Sequence, residues 1–401
     1  MSSEGSDSRF PLFRLLVLSA AIFVAVSSEF LPTGLLPDMA RDLRVSESQI
    51  GLLVTIYSGT VVVTAVPLAA ITTRLPRKWL MVATLAVFAV ANVMAAVSPN
   101  YGVLVVSRVV GGLAHGLFWS VTGPYAARLV APRQLSRAMA VTQAGATLAF
   151  VLGVPLGTAL GHALGWRLAF IVMGGTILLF LVLVATALPH VSHLVPLATG
   201  EVAVPLRRDR TLPVIVIVCA TILLVGIGQN SFYTYIVPWS TGVAGIPAGQ
   251  VGTLLFGYGA AGAIGLVLAG LLGDRLPRAA VLGSLIVVVA TGVFLGLLGG
   301  FGPGIAIVGV IAWSIGWGGV PSLLQTRMMH GVSLRLRDTA AAWTTIAFNI
   351  AIGGGALIGG LELDHLGVQA LPWGMALLVG LTVVLVIITD RRALRRDTVI
   401  E

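Results

Sequence analysis

A carboxylate, a guanidinium and an imidazole stand in sequence that is otherwise apolar. Glu29 lies in SSEFLPTGLLPD (27–38), late in an apolar run that begins at Pro11. Arg108 and His115 lie in SRVVGGLAHG (107–116), inside another such run, and His115 follows Arg108 at i+7, on roughly the same helical face. A charge buried alone in hydrocarbon is costly, so such residues face a cavity or pair with one another. Burial disfavours a charged carboxylate and a nearby arginine favours it. A carboxylate poised between those effects titrates when their balance changes. The chemistry on offer is therefore proton uptake and release at Glu29, with Arg108 as its electrostatic partner and His115 as a possible relay. A fixed Glu29–Arg108 ion pair and a direct substrate contact by Glu29 are the competing readings, and a hydrogen-bonded core residue is the competing reading of His115. No HExxH, GxSxG or phosphate-loop pattern occurs. The single cysteine excludes an internal disulfide and a cysteine metal cluster. The sequence thus reads as no enzyme, with no metal and no cofactor.

The elements that must position these groups follow from composition. The chain of 401 residues is 57% hydrophobic and 10% charged, with a mean hydropathy of +1.01. Soluble domains carry about 25% charged residues. The chain is therefore an all-α polytopic membrane protein. Each crossing needs roughly 20 residues at about 1.5 Å per residue. Twelve runs qualify: 12–36, 48–71, 79–98, 101–125, 138–162, 167–188, 212–240, 250–272, 279–299, 303–325, 338–361 and 371–389. The first is long and lacks a small-residue cleavage site after it, so it reads as a span and not as a signal peptide. Segment 189–211, with prolines and the basic cluster RRDR, divides 1–188 from 212–401 as a linker between two six-helix bundles.

An even number of spans puts both termini on one side. Of the 24 Lys and Arg, three (Arg41, Arg44 and Arg167) fall on the other side and Arg108 lies inside a span; the rest fall on the side of the termini. That bias places both termini in the cytoplasm. It also accounts for the net charge of +9 without nucleic acid. With span one starting near Leu15, Glu29 lies about 21 Å in, and Arg108 lies about 10 Å in from the outer side. In a core of about 30 Å the two have similar depth.

The halves repeat. AAITTRLPRKWL (69–80) and GLLGDRLPRAAV (270–281) share R-L-P-R, with Arg74 and Arg275 separated by 201 residues. Two related six-span halves are a common transporter architecture. The loop GLLGDRLPR, with Asp274, Arg275 and Arg278, resembles the gating-loop motif of the major facilitator superfamily. The first-half copy departs from it at Ala69 and Thr73. SRVVGGLAHG resembles that family's fourth-helix motif. GATLAFVLGVPLGTALG (145–161) resembles its fifth-helix antiporter motif, with Gly153, Pro155 and Gly157, although GVPLG replaces the usual ending. GWRLAF (165–170) resembles the start of its sixth helix. SSEFLPTGLLPDMA with SFYTYIVPW (231–239) resembles the twelve-span drug:proton antiporter branch, and most of all bacterial sugar-efflux and chloramphenicol-resistance-type exporters. The resemblance covers nearly the whole chain. It implies two six-helix bundles around a central cavity lined by helices one and four.

Gly145, Gly153, Gly157 and Gly161 are spaced by 8, 4 and 4 residues, which puts them on one face and lets another helix approach closely. Pro155 can kink that helix. At 201 residues from Glu29 stands Asn230, polar but unable to titrate. Asn230, Tyr233, Trp313, Trp317 and Asn349 offer aromatic rings with a few neutral donors, which suits a small amphipathic ligand. These features together predict a monomeric exporter in the bacterial inner membrane. It would exchange a drug-like or sugar-like molecule for protons by alternating access, a candidate for antibiotic resistance. A sugar exporter or facilitator without obligatory proton coupling is the alternative within that class, and a channel or membrane receptor lies outside it.

Overall fold

The computed structural model describes residues 10–190, 209, 211–273, 275–333 and 336–397. Among them, twelve helices are long and apolar enough to cross a membrane, and none of these residues forms a strand. They are α1 (Leu12–Leu43), α2 (Glu47–Ile71), α3 (Arg77–Ala96), α4 (Tyr101–Arg128), α5 (Arg137–Leu164), α6 (Trp166–Ala187), α7 (Leu212–Tyr233), α8 (Ala248–Gly273), α9 (Pro277–Phe301), α10 (Pro303–Gly331), α11 (Thr339–Leu366) and α12 (Val368–Arg391). Most of the segment 189–211 and Asp274 lie outside the described residues. The start of α1 and the end of α12 share one face of the bundle, called here the terminal face.

The helix contacts fall into two groups. In the first, α1 packs on α2, α5 and α6, α2 on α4, and α3 on α4 and α6. In the second, α7 packs on α11 and α12, α8 on α10, and α9 on α10 and α12. The groups meet through α2 with α11 and through α5 with α8.

Several helices depart from the simple spans, and three of them contain or adjoin prolines. Helix α1 was expected to end at residue 36. It instead runs through Pro32 and Pro37 to Leu43 and stops at Arg44, which is left-handed with φ 56°. Helix α5 has a π-helical turn at Ala149–Gly153, just before Pro155. Pro155 has no N–H to give the preceding turn, and widening that turn accommodates the misfit. The seventh span was expected to be continuous over 212–240. Helix α7 instead stops at Tyr233, and a short helix, Ile236–Gly242, follows. Pro238 lies one turn after Thr234; its ring would clash with the Thr234 carbonyl in an unbroken helix.

The glycine stripe on α5 meets α1. A Cβ on Gly145 would strike the Ser19 backbone, one on Gly153 the Ser27 side chain, one on Gly157 Leu31 and one on Gly161 Leu35. Residues 19, 27, 31 and 35 repeat the glycines' own spacing, so the two helices run in register along the whole contact. This fixes α1, and with it Glu29.

Contacts between the two groups lie toward the face opposite the termini. Gly51 of α2 abuts Tyr235, and the Thr55 hydroxyl donates to the Gly353 carbonyl of α11 at 2.8 Å. Gly252 of α8 abuts Ala159, and Gly259 abuts the Phe150 carbonyl. One turn toward the terminal face from Thr55, Gly59 is exposed, with nothing within 4 Å of where its Cβ would stand. On α11, Thr345 is exposed and Asn349 half-buried on the terminal side of Gly353.

Candidate functional site

The site starts with a missing hydrogen bond. Pro32 cannot give an N–H to the Ser28 carbonyl four residues before it. Arg108 of α4 reaches across to that carbonyl: its Nη1 donates to Ser28 O at 3.5 Å and its Nη2 to Glu29 O at 3.1 Å. The guanidinium also lies 4.5 Å from the centre of the Tyr57 ring, a cation–π contact. Arg108 is only 4% exposed. The expected pairing of guanidinium with carboxylate is therefore replaced. Arg108 holds the backbone of α1 at two carbonyls, of which Pro32 frees the one at Ser28, and makes no ion pair with the Glu29 side chain among the described residues.

The Glu29 side chain points into the first helix group, and the residue is 4% exposed. Its Oε2 lies 3.6 Å from Nε2 of His115, and its Oε1 has no hydrogen-bond partner among the described residues. His115 is 3% exposed and held on both ring nitrogens. Nδ1 is 2.9 Å from the Tyr57 hydroxyl, and Nε2 accepts the Trp119 indole N–H at 2.6 Å. Phe88 of α3 packs edge-on against the imidazole. Beside Glu29, Asn92 Nδ2 donates to the Ser28 hydroxyl at 2.8 Å. Four helices, α1 to α4, thus converge on one buried carboxylate. His115, a possible relay in the sequence, stands 3.6 Å from one oxygen of that carboxylate.

The neighbouring residue faces the other way. Phe30 packs against Phe150 of α5, with ring centres 4.9 Å apart, and against Tyr233 of α7 at 6.1 Å. Tyr233 continues to Tyr258 of α8 at 5.0 Å and Tyr258 to Trp313 of α10 at 5.1 Å. Trp313 stacks on Phe232. One aromatic layer therefore joins the two helix groups, and the π-helical turn of α5 carries Phe150 into it.

The second group holds a neutral counterpart of the ionisable site. Gln229 Nε2 donates to the Tyr258 hydroxyl at 2.7 Å, and Trp313 Nε1 donates to Gln229 Oε1 at 2.8 Å. The 201-residue offset between Arg74 and Arg275 also relates Tyr57 to Tyr258 and Ser28 to Gln229. Both groups thus bury a tyrosine at the same place, one beside a carboxylate and one beside an amide.

The remaining predicted positions divide. Tyr233 and Trp313 enter the aromatic layer. Asn230 is buried, gives its amide to Gly226 O and packs against Gly355 of α11, so it turns from that layer. Trp317 is half-buried and makes no ring contact among the described residues. Asn349 donates to Thr345 O of its own helix, one turn from Gly353. Arg275 and Arg278 are exposed at the terminal face. Gly153 and Gly157 pack on α1, and the Pro155 carbonyl lies against Gly252. Tyr57, Trp119 and Tyr258 were not singled out from sequence; applying the repeat offset to tyrosines would have found the pair at 57 and 258.

The chain is similar to known proteins in sequence and in fold. A probable sugar efflux transporter of Helicobacter pylori is 28% identical over 369 residues, 92% of this chain and 93% of that one. Another of that description, from Mannheimia succiniciproducens, is 29% identical over 380 residues, 94% of each chain. The crystal structure of a bacterial homologue of the human lysosomal transporter Spinster, inward-facing and unoccupied, superposes with a TM-score of 0.72 at 15% identity over 96% of each chain. The human organic anion transporter MFSD10 superposes with a TM-score of 0.69 at 19% identity, over 94% of this chain and 100% of that one. Residues 18–356 match the profile of the Major Facilitator Superfamily. With twelve spans, two related halves and a profile match over most of its length, the chain belongs to the Major Facilitator Superfamily and is a multi-pass membrane transporter.

Proposed function

We propose that the protein exports small sugar-like molecules across a bacterial inner membrane in exchange for protons, with Glu29 as the proton carrier. The observation that carries this reading is the state of the Glu29 carboxylate. It is deeply buried, and among the described residues no guanidinium lies within ion-pair distance of it and one of its oxygens has no hydrogen-bond partner. A purely structural carboxylate would be expected to pair with the arginine that lies beside it. Here Arg108 is engaged with backbone carbonyls, which leaves the carboxyl group able to gain and lose a proton. The sugar class rests on the relatives described as probable sugar efflux transporters and on the neutral, aromatic character of the layer from Phe30 to Trp313. The terminal face is cytoplasmic by the distribution of basic residues. Contacts gathered at the opposite face fit a state open toward the cytoplasm.

Counterflow in proteoliposomes tests the class. A panel of labelled mono- and disaccharides, with amphipathic drug cations alongside, is loaded on one side and exchanged. Saturable exchange of a saccharide that responds to an imposed pH gradient is expected. Exchange indifferent to the gradient would favour a facilitator, and conduction without counterflow would favour a channel.

A further inference from the structure

We infer that Trp119 is a latch on the proton site: its indole N–H occupies the one lone pair of His115 that could accept the proton of Glu29. The inference rests on the reading of Glu29 as proton carrier. An indole N–H only donates, and a neutral imidazole has one donor and one acceptor nitrogen. The Trp119 N–H lies 2.6 Å from His115 Nε2, so Nε2 is the acceptor. Nδ1 then carries the hydrogen and donates to the Tyr57 hydroxyl, 2.9 Å away. An imidazolium would set two N–H groups against each other at Nε2. The hydrogen-bond network thus defines His115 as neutral, with its hydrogen on Nδ1.

The same Nε2 faces Glu29 Oε2 at 3.6 Å. The groups around the imidazole are Glu29 from α1, Tyr57 from α2, the neutral Phe88 from α3, and Arg108 and Trp119 from α4. Among these, only Nε2 offers Glu29 an unprotonated nitrogen. Transfer of the proton would break the Glu29 O–H bond, form Nε2–H, and leave a carboxylate and an imidazolium. The indole must first leave Nε2 and pass its N–H to water. Trp119 lies one turn toward the terminal face from His115 and is half-buried, so it stands between the imidazole and the proposed cytoplasmic opening. Trp119 acts through His115 and is a positioning residue.

The test uses the full chain, labelled with 15N-histidine, in lipid nanodiscs. The His115 signal is assigned by its loss in His115→Gln. The wild type is expected to show an unprotonated Nε2 and a protonated Nδ1 at neutral pH. Trp119→Phe frees the lone pair, and loss of one hydrogen bond predicts about a 5-fold rise in the Nε2-protonated fraction. Passive proton flux into proteoliposomes should rise with it. Replacing Trp119 by its benzothiophene analogue, which keeps the shape and lacks the N–H, should do the same and excludes a packing effect. A wild-type His115 protonated on Nε2 overturns the inference, as does unchanged nitrogen protonation or unchanged flux in the two variants. Glu29→Gln tests proton carriage separately. The nitrogen shifts need no transport, so a failure of the latch and a failure of the carrier reading are told apart.

Discussion

At Gly259 the two helix groups approach each other through their backbones, and replacing it by alanine should shift the conformational balance. A Cβ there would lie on the carbonyl of Phe150 and 2.6 Å from the Cα of Val151. Both are backbone atoms of α5, so neither can swing aside as a flexible side chain would. Overpacking of this kind costs about 1–3 kcal/mol. That cost falls only on the state in which α5 and α8 touch. If the proposed alternation is correct, Gly259→Ala should lower that state's population relative to its alternative by roughly 5- to 150-fold. Spin labels at Val97 and Phe301, both exposed and in different helix groups, would report the separation at the opposite face. They would be placed on a Cys219→Ser background, since Cys219 is the only cysteine. The distance distribution should move to longer values in Gly259→Ala. Gly270→Ala, on the same helix with nothing within 4 Å of the added atom, should leave it unchanged. An unchanged distribution in a folded Gly259→Ala protein would mean that the α5–α8 contact does not open between states.

Three further outcomes follow from the same geometry. Pro32→Ala restores an N–H for the Ser28 carbonyl and removes the need for Arg108 there; transport should fall about 10-fold, in the range of a charged hydrogen bond, while the melting temperature holds or rises. A parallel fall of both would mean that the proline serves folding alone. Gly145→Ala places a Cβ against the Ser19 backbone and should lower stability by about 1–3 kcal/mol in thermal unfolding, whereas Gly175→Ala, with open space around it, should not. Tyr258→Phe leaves the Gln229 amide without its hydroxyl partner and should cost about 1–3 kcal/mol in thermal unfolding; an unchanged stability would argue against the pairing.

The membrane fold was legible because its signals are coarse. Apolar runs and basic loops do not depend on which atoms touch, so twelve spans could be located to within a few residues at most ends. The glycine stripe was legible for the same reason: spacing alone defines a face. The seventh span was misjudged because hydropathy does not register the carbonyl clash made by Pro238. The Glu29–Arg108 neighbourhood was legible as a shared depth, but its bonding was not. Depth does not say which oxygen a guanidinium meets, and here it meets the backbone carbonyls of Ser28 and Glu29. Asn230 shows the reverse limit. The repeat offset pointed to position 230, yet a helix turns adjacent residues about 100° apart, and it is Gln229 that bonds Tyr258 and Trp313.

Transport by Glu29→Gln under an imposed pH gradient decides whether Glu29 carries the proton. The amide keeps the size of the side chain and cannot carry a proton. Saccharides exchanged by the wild type should accumulate against their gradient only when the proton gradient is present. In Glu29→Gln, counterflow should persist and gradient-driven accumulation should vanish. Accumulation by Glu29→Gln at the wild-type level would contradict the account and leave Glu29 a structural carboxylate.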